Sequence, residues 1–147
     1  MSSPEKFAAL TELIMDALAS TIAKDAERAA SKLIEIGSQC TDSEMYGVCC
    51  ALAGAGQHAL TKIYGPSFNR EGGDMFALQE LQPGATGPEE MFAMRFLVAY
   101  ANGDKPTCMA LYSAATKASD EDFVGSVSAL LINVAGLSRL ALDRAES

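Results

Sequence analysis

The sequence lacks the residue groupings from which most catalytic and metal sites are built. It has one histidine, His58, and contains no CxxC or HxxxH spacing, no glycine-rich phosphate loop, no serine nucleophile elbow and no tryptophan. A metal site would have to take its other ligands from Cys, Asp and Glu. We therefore expect no enzymatic activity, no catalytic residue, no bound metal and no cofactor.

Basic residues are also scarce. Eleven Lys and Arg stand against nineteen Asp and Glu, which gives a formal charge of −8, and the basic residues are scattered singly along the chain. Binding to phosphate backbones requires Lys and Arg gathered on one face. We therefore expect no nucleic-acid partner and no anionic membrane surface, whereas an acidic chain suits a basic partner.

The composition of the chain indicates neither an export signal nor a membrane-spanning segment. The start, "MSSPEKFAALTELIMDAL", has acids among its apolar residues and no basic region before them, and "FVGSVSALLINVAGL" is too short or too polar to span a bilayer. We predict a cytoplasmic protein whose four cysteines, Cys40, Cys49, Cys50 and Cys108, are reduced thiols. Most thiols of this kind are inert. The alternative is a reactive Cys40, which precedes a helix start whose N–H groups would lower its pKa if the side chain folded back toward them.

Helical signals fill almost the whole chain, and strand-type alternation is nearly absent. Phe7, Leu10, Ile14 and Leu18 follow one another at spacings of three and four, after Ser3 and Pro4 at a helix start. The fold class is therefore all-α. The predicted helices span residues 4–21, 25–37, 42–63, 88–102, 105–117 and 120–144.

Two stretches of the chain are nearly the same. "TDSEMYGVCCAL" at 41–52 and "SDEDFVGSVSAL" at 119–130 align without a gap, pairing Gly47 with Gly125. Both begin with a capping box, an N-cap hydroxyl with an acid three residues later. This predicts two related three-helix units, 4–63 and 88–144, packed third helix against sixth about a pseudo-twofold axis. Chance likeness between two generic helix starts is the alternative.

The repeat also predicts a turn that the first half does not signal by itself. "STIAKDAER" contains neither Gly nor Pro, but the matching stretch of the second half has Asn102, Gly103 and Pro106, which do not continue a helix. By analogy, the first two helices should be separated near residues 23–25. The third and sixth helices should be the most buried, with Gly47 and Gly125 marking close approach.

These units describe a single all-α domain over 1–147, either a helical bundle or a short α-solenoid. A Gly/Pro-rich linker, 64–87, joins the units. Within the linker, "DMFALQEL" at 74–81 is either a short helix that packs on the bundle or an irregular segment.

One hairpin of the second unit resembles the tetratricopeptide family. Over residues 91–117 the resemblance rests on Gly103 and Asp104 at the turn, followed by Cys108, Tyr112 and Ala115 at the family's spacing of small, aromatic and alanine residues. The repeat here is 78 residues, against 34 in that family. The resemblance implies a stack of α-hairpins with a tendency to bind proteins.

For function we expect a non-enzymatic helical protein-interaction or scaffold module that binds a protein partner or its own copy as a homodimer. The alternative is a sensor of a small apolar ligand with a pocket lined by Met, Phe and Tyr. A thiol enzyme ranks last. The candidate interaction or pocket residues are Tyr46, His58, Met91, Phe92, Met94, Phe96, Tyr100 and Tyr112.

A stripe of small residues in the third helix allows two interpretations. Gly47, Ala51, Gly54 and Ala55 lie on one side of that helix. They indicate either tight packing against another helix, which we favour, or an open groove or dimer seam.

Overall fold

A computed structural model describes residues 3–64 and 87–146. Within them the chain forms six α-helices and no strand: α1 (Ser3–Ile22), α2 (Ala26–Gln39), α3 (Asp42–Tyr64), α4 (Pro88–Ala101), α5 (Lys105–Thr116) and α6 (Asp120–Glu146). The all-α prediction is confirmed, and every predicted helix agrees with the observed one to within two residues at each end. The predicted short helix at 74–81 lies outside the described residues.

The turn between α1 and α2 is present where the repeat predicted it. Lys24 adopts the left-handed conformation with φ of 64°, the only non-glycine residue to do so among those described. The amide of Asp25 donates to the carbonyl of Ser20 at 2.8 Å, which closes the end of α1. The carboxylate of Asp25 then accepts from the amide of Arg28 at 3.2 Å and caps α2.

The turn between α4 and α5 has the same construction. Gly103 is left-handed with φ of 73°, and the amide of Asp104 donates to the carbonyl of Ala99 at 2.9 Å. Asp104 caps α5 by accepting from the amide of Thr107 at 3.2 Å. Glycine occupies this conformation without the cost that Lys24 incurs through its Cβ.

The hydroxyl caps predicted for α3 and α6 are both formed. Thr41 Oγ1 accepts from the amide of Glu44 at 3.3 Å, and Glu44 Oε1 accepts from the amide of Thr41 at 2.8 Å, a complete capping box. At α6, Ser119 Oγ accepts from the amide of Asp122 at 3.1 Å. Local hydrogen bonds therefore fix where both long helices begin.

Helices α1, α3, α4 and α6 run in the same direction. Lys6 meets Glu44 near the starts of α1 and α3, and a Cβ built at Gly54 or Gly56 of α3 would contact Tyr100 or Leu97 late in α4. Helices α3 and α6 make the most extensive contact of any pair among the described residues. Helix α2 packs on α1, and α5 packs on α4 and α6, so the described residues form a helical bundle.

Helix α4 is buried over a larger share of its length than α3 or α6. Half of its fourteen residues are buried, among them Phe92, Phe96 and Leu97. The expectation that α3 and α6 are the most buried is therefore wrong. The reason is position: α4 packs on both of them and on α5.

The two glycines paired by the repeat do not share an environment. A Cβ at Gly47 would meet no atom within 4 Å, whereas one at Gly125 would lie 3.2 Å from Cγ of Glu89. The expectation that both mark close approach is therefore wrong for Gly47. Close approach on α3 occurs at Gly56 instead, where a Cβ would lie 2.8 Å from Cδ1 of Leu97 and 3.2 Å from Cγ2 of Val134.

Helix α6 is long and apolar enough over Asp120–Asp143 to cross a membrane, judged by length and composition alone. The sequence-based expectation was that this stretch is too short or too polar. In the bundle, 39% of its apolar window is buried. The core helices of soluble proteins have the same composition, so this feature is weak evidence for a membrane span.

Candidate binding groove

An apolar groove of about 680 Å³ lies between α1 and α3. Its floor is made by buried side chains, and its rim by the exposed side chains of Phe7 and Met15 with exposed Gly47 and Ala51. Phe7 is 72% exposed and Met15 56% exposed, which is unusual for side chains of this size and polarity. The thirteen lining residues are Lys6, Phe7, Leu10, Thr11, Ile14, Met15, Leu18, Glu44, Gly47, Val48, Ala51, Leu52 and Ala55.

The groove exists because the two helices present side chains of different size. On α1, large apolar residues follow at spacings of three and four, whereas the facing stripe of α3 is Gly47, Ala51 and Ala55. Helices α1 and α3 touch only slightly, although both pack on α6. The packing interpretation that we favoured is therefore wrong for these three residues, which line an open groove. A Cβ at Gly54, in contrast, would lie 3.5 Å from the hydroxyl oxygen of Tyr100.

An ion pair spans the groove at one end. Nζ of Lys6 lies 2.7 Å from both carboxylate oxygens of Glu44. The hydrogen bond from Lys6, followed by the one from the amide of Thr41, holds the pKa of Glu44 below its ordinary value. Glu44 therefore has two roles, since it caps α3 and ties α1 to it.

Four of the eight residues predicted as candidates lie together, but in the interior. Tyr46 packs edge-on against Phe96, with ring centroids 6.2 Å apart, and against Tyr112 at 5.3 Å. Phe92 packs against Phe96 at 5.5 Å, and Phe123 of α6 extends the cluster from Tyr112 at 5.7 Å. These rings join α3, α4, α5 and α6.

The other four candidates are dispersed. Met94 is buried, and Met91 is half-buried beside a hollow of about 380 Å³ between α4, α5 and α6. Tyr100 is half-buried near Gly54, and His58 is exposed on α3. None of the eight is among the residues that line the α1–α3 groove.

The pKa values of Cys40, Cys49 and Cys108 are raised. Burial raises the pKa of Cys49 to about 12 and that of Cys108 to about 11. The pKa of Cys40 is also raised, because partial burial and the nearby charge of Glu44 outweigh the effect of Lys6. The alternative of an activated Cys40 at a helix start is therefore not supported, since a reactive thiol requires a lowered pKa.

Sequence reasoning missed the groove residues for a specific reason. Phe7, Leu10, Ile14 and Leu18 have the spacing of a core-facing stripe, and only the separation of α1 from α3 leaves Phe7 exposed. The signal for the groove in the sequence was the stripe of small residues on α3, together with the large apolar residues on α1. Their two interpretations could not be separated without the positions of the helices.

Comparison of the chain with family models, curated proteins and solved structures gives no match. The resemblance of residues 91–117 to a tetratricopeptide hairpin gains no support from these comparisons and remains a prediction.

Proposed function

We propose that this protein is a non-enzymatic helical protein-interaction module and that the α1–α3 groove is its binding surface. The observation that carries the proposal is the pair of exposed large side chains, Phe7 and Met15, on the rim of an apolar groove. Large exposed apolar surfaces mark interaction sites in soluble proteins. We place the protein in the cytoplasm, where its thiols stay reduced.

Duplication of a three-helix unit gives the groove an equivalent position in the second half. The two matching turns at Lys24 and Gly103 support duplication. In addition, four buried residues of α1 lie at the same distances in sequence before Lys24 as four buried residues of α4 lie before Gly103. These positions are Leu13, Ile14, Ala17 and Leu18 in α1, and Phe92, Ala93, Phe96 and Leu97 in α4.

If the halves are related, the helix pair α1 and α3 corresponds to the helix pair α4 and α6. In the second half the pair is in close contact, with Glu89 of α4 against Gly125 of α6. In the first half the equivalent pair is separated, and Gly47 faces open space. The groove is then the place where the two units differ, which is what we expect of a surface adapted to a partner.

Position-specific photo-crosslinking tests the proposal. A photoreactive amino acid replaces Met15 on the groove rim or, as the matched control, Met109 on α5, which is 60% exposed and lies outside the groove. We expect a discrete cross-linked protein from native cell extract at position 15 only. We also expect its loss in the Gly47→Leu background, because leucine fills the groove. Equal products at both positions would refute the assignment of the groove.

A second candidate function, sensing of a small apolar ligand, is favoured by the volume of the groove. Ligand pockets commonly occupy about 300–1,000 Å³ and are lined mainly by apolar side chains, as here. Native mass spectrometry of the protein purified under mild conditions tests it. A bound molecule of constant mass, absent from the Gly47→Leu variant, would support this function, and an unliganded spectrum for both proteins would count against it.

A further inference from the structure

We infer that the occupant of the α1–α3 groove is a single amphipathic α-helix of a partner protein, with basic residues beside its apolar stripe. This rests on the proposed function and names the partner element. The dimensions agree, since Lys6 and Leu18 at the two ends of the groove are twelve residues apart on α1. At 1.5 Å per residue this is about 18 Å, or roughly three turns of a bound helix.

The open shape of the groove favours a helix over a small molecule. Pockets for small molecules bury about 70–90% of the ligand surface. Here the rim residues Phe7 and Met15 are exposed along one side, so any occupant keeps one face in water. An amphipathic helix matches this arrangement, because its apolar face contacts the groove and its polar face stays solvated.

The size of the groove argues against a second copy of this chain as the occupant. A stable interface between two globular subunits takes about 20–30 residues from each side. Thirteen residues line the groove. That number suits one helix laid between two others at ordinary helix-packing distances of about 8–10 Å.

The charge of the chain determines the sign of the partner. The two charged residues of the lining, Lys6 and Glu44, are paired with each other, so the lining itself is otherwise uncharged. The whole chain carries −8, and a helix carrying Lys or Arg beside its apolar stripe is complementary to that charge.

Three synthetic peptides of about 14 residues test the inference. The first carries leucines at helical spacing with lysines at the polar positions, the second replaces these lysines with glutamates, and the third scrambles the leucines of the first. Fluorescence anisotropy measures each Kd at low salt and again at 0.5 M salt. We expect the lysine peptide to bind at least about tenfold more tightly than either other peptide, with affinity falling at high salt.

Matched variants locate the binding. Met15→Gln should weaken binding of the lysine peptide about tenfold, whereas Met109→Gln should leave it unchanged, because both methionines are exposed but only Met15 lines the groove. Gly47→Leu should abolish binding while the protein remains folded by circular dichroism.

Several outcomes would overturn the inference. Equal affinity for the lysine and glutamate peptides would refute the charge argument, and equal affinity for the scrambled peptide would refute the amphipathic helix. A dimer in sedimentation that Met15→Gln dissociates would identify a second copy as the occupant instead. If crosslinking from position 15 succeeds while the peptides fail to discriminate, the proposed function stands and only the partner's identity as a basic helix falls.

Discussion

At the scale of single residues, two glycines of α3 illustrate how differently the two sides of one helix are used. Gly47 faces the groove with no atom near its missing side chain, whereas Gly56 faces Leu97 and Val134 in the interior. The same substitution should therefore have opposite effects on the stability of the protein at the two positions.

Gly47→Leu should stabilise the protein by up to about 1 kcal/mol, because a glycine in a helix is replaced by a good helix former in open space. Gly56→Leu should destabilise it by about 1 to 3 kcal/mol through overpacking against two buried side chains. Chemical denaturation followed by circular dichroism measures both. A loss of stability for Gly47→Leu equal to that for Gly56→Leu would show that the groove is closed.

The Lys6–Glu44 pair makes part of the stability depend on pH. Because the folded-state pKa of Glu44 lies below its unfolded value, its ionised form stabilises the fold at neutral pH. This contribution is present above the ordinary carboxyl pKa of 4.5 and is lost as pH falls through the lower, folded-state value.

We therefore expect Glu44→Gln to lower the melting temperature at pH 7 and to have a smaller effect at pH 3, where a larger share of the wild-type carboxylate is protonated. Thermal unfolding at the two pH values checks this, with Glu12→Gln, an exposed glutamate of α1, as the control. A deficit of equal size at both pH values would mean that the ionised pair contributes nothing.

At the scale of helices, the two turns that reverse the chain differ in the free energy that their left-handed residue costs. Lys24 and Gly103 occupy the same left-handed position, followed in each case by an aspartate that caps the next helix. A residue with a Cβ pays about 1–2 kcal/mol in this conformation, and glycine does not.

Lys24→Gly should therefore stabilise the protein by about 0.5 to 1 kcal/mol, which is the relief of strain less the greater freedom of glycine in the unfolded chain. Gly103→Ala should destabilise it by about 1 kcal/mol or more. Urea midpoints of the two variants measure the difference. Destabilisation by Lys24→Gly would mean that the side chain of Lys24 contributes more than its backbone conformation costs.

Helix boundaries could be predicted from the sequence because local chemistry sets them. The hydroxyl caps at Thr41 and Ser119 and the Asn-Gly turn at 102–103 act within a few residues of where they stand. The groove could not be predicted, since its shape depends on how far α1 stands from α3. The periodicity that places Leu10 on an apolar face is the same whether that face is covered or open.

At the scale of the whole molecule, helices α1 and α6 not only pack on each other but are also linked by the hydrogen bonds of one side chain. The guanidinium of Arg139 on α6 donates to the last carbonyls of α1: Nη2 lies 2.8 Å from the oxygen of Ile22 and 3.1 Å from that of Thr21, and Nε lies 3.3 Å from the oxygen of Ile22. Terminal carbonyls of a helix lack partners within it, and a cation there also opposes the helix dipole.

Arg139→Met keeps most of the aliphatic stem and removes these hydrogen bonds. We expect a loss of about 1.5 to 3 kcal/mol in the free energy of unfolding, the range for hydrogen bonds to charged groups. Arg95→Met, at an exposed arginine of α4, serves as the control and should change stability by less than about 0.5 kcal/mol. Similar losses in both variants would show that the bonds to α1 have no special role.

The same contact has a consequence for synthesis of the chain on the ribosome. Ile22 is made 117 residues before Arg139, which caps its carbonyl. At about 5–20 residues per second, roughly 6 to 23 s pass between them. During that interval the far end of α1 has no guanidinium at its carbonyls, and the apolar side that packs on α6 lacks its cover. This side of α1 is therefore open to chaperones until α6 has been made.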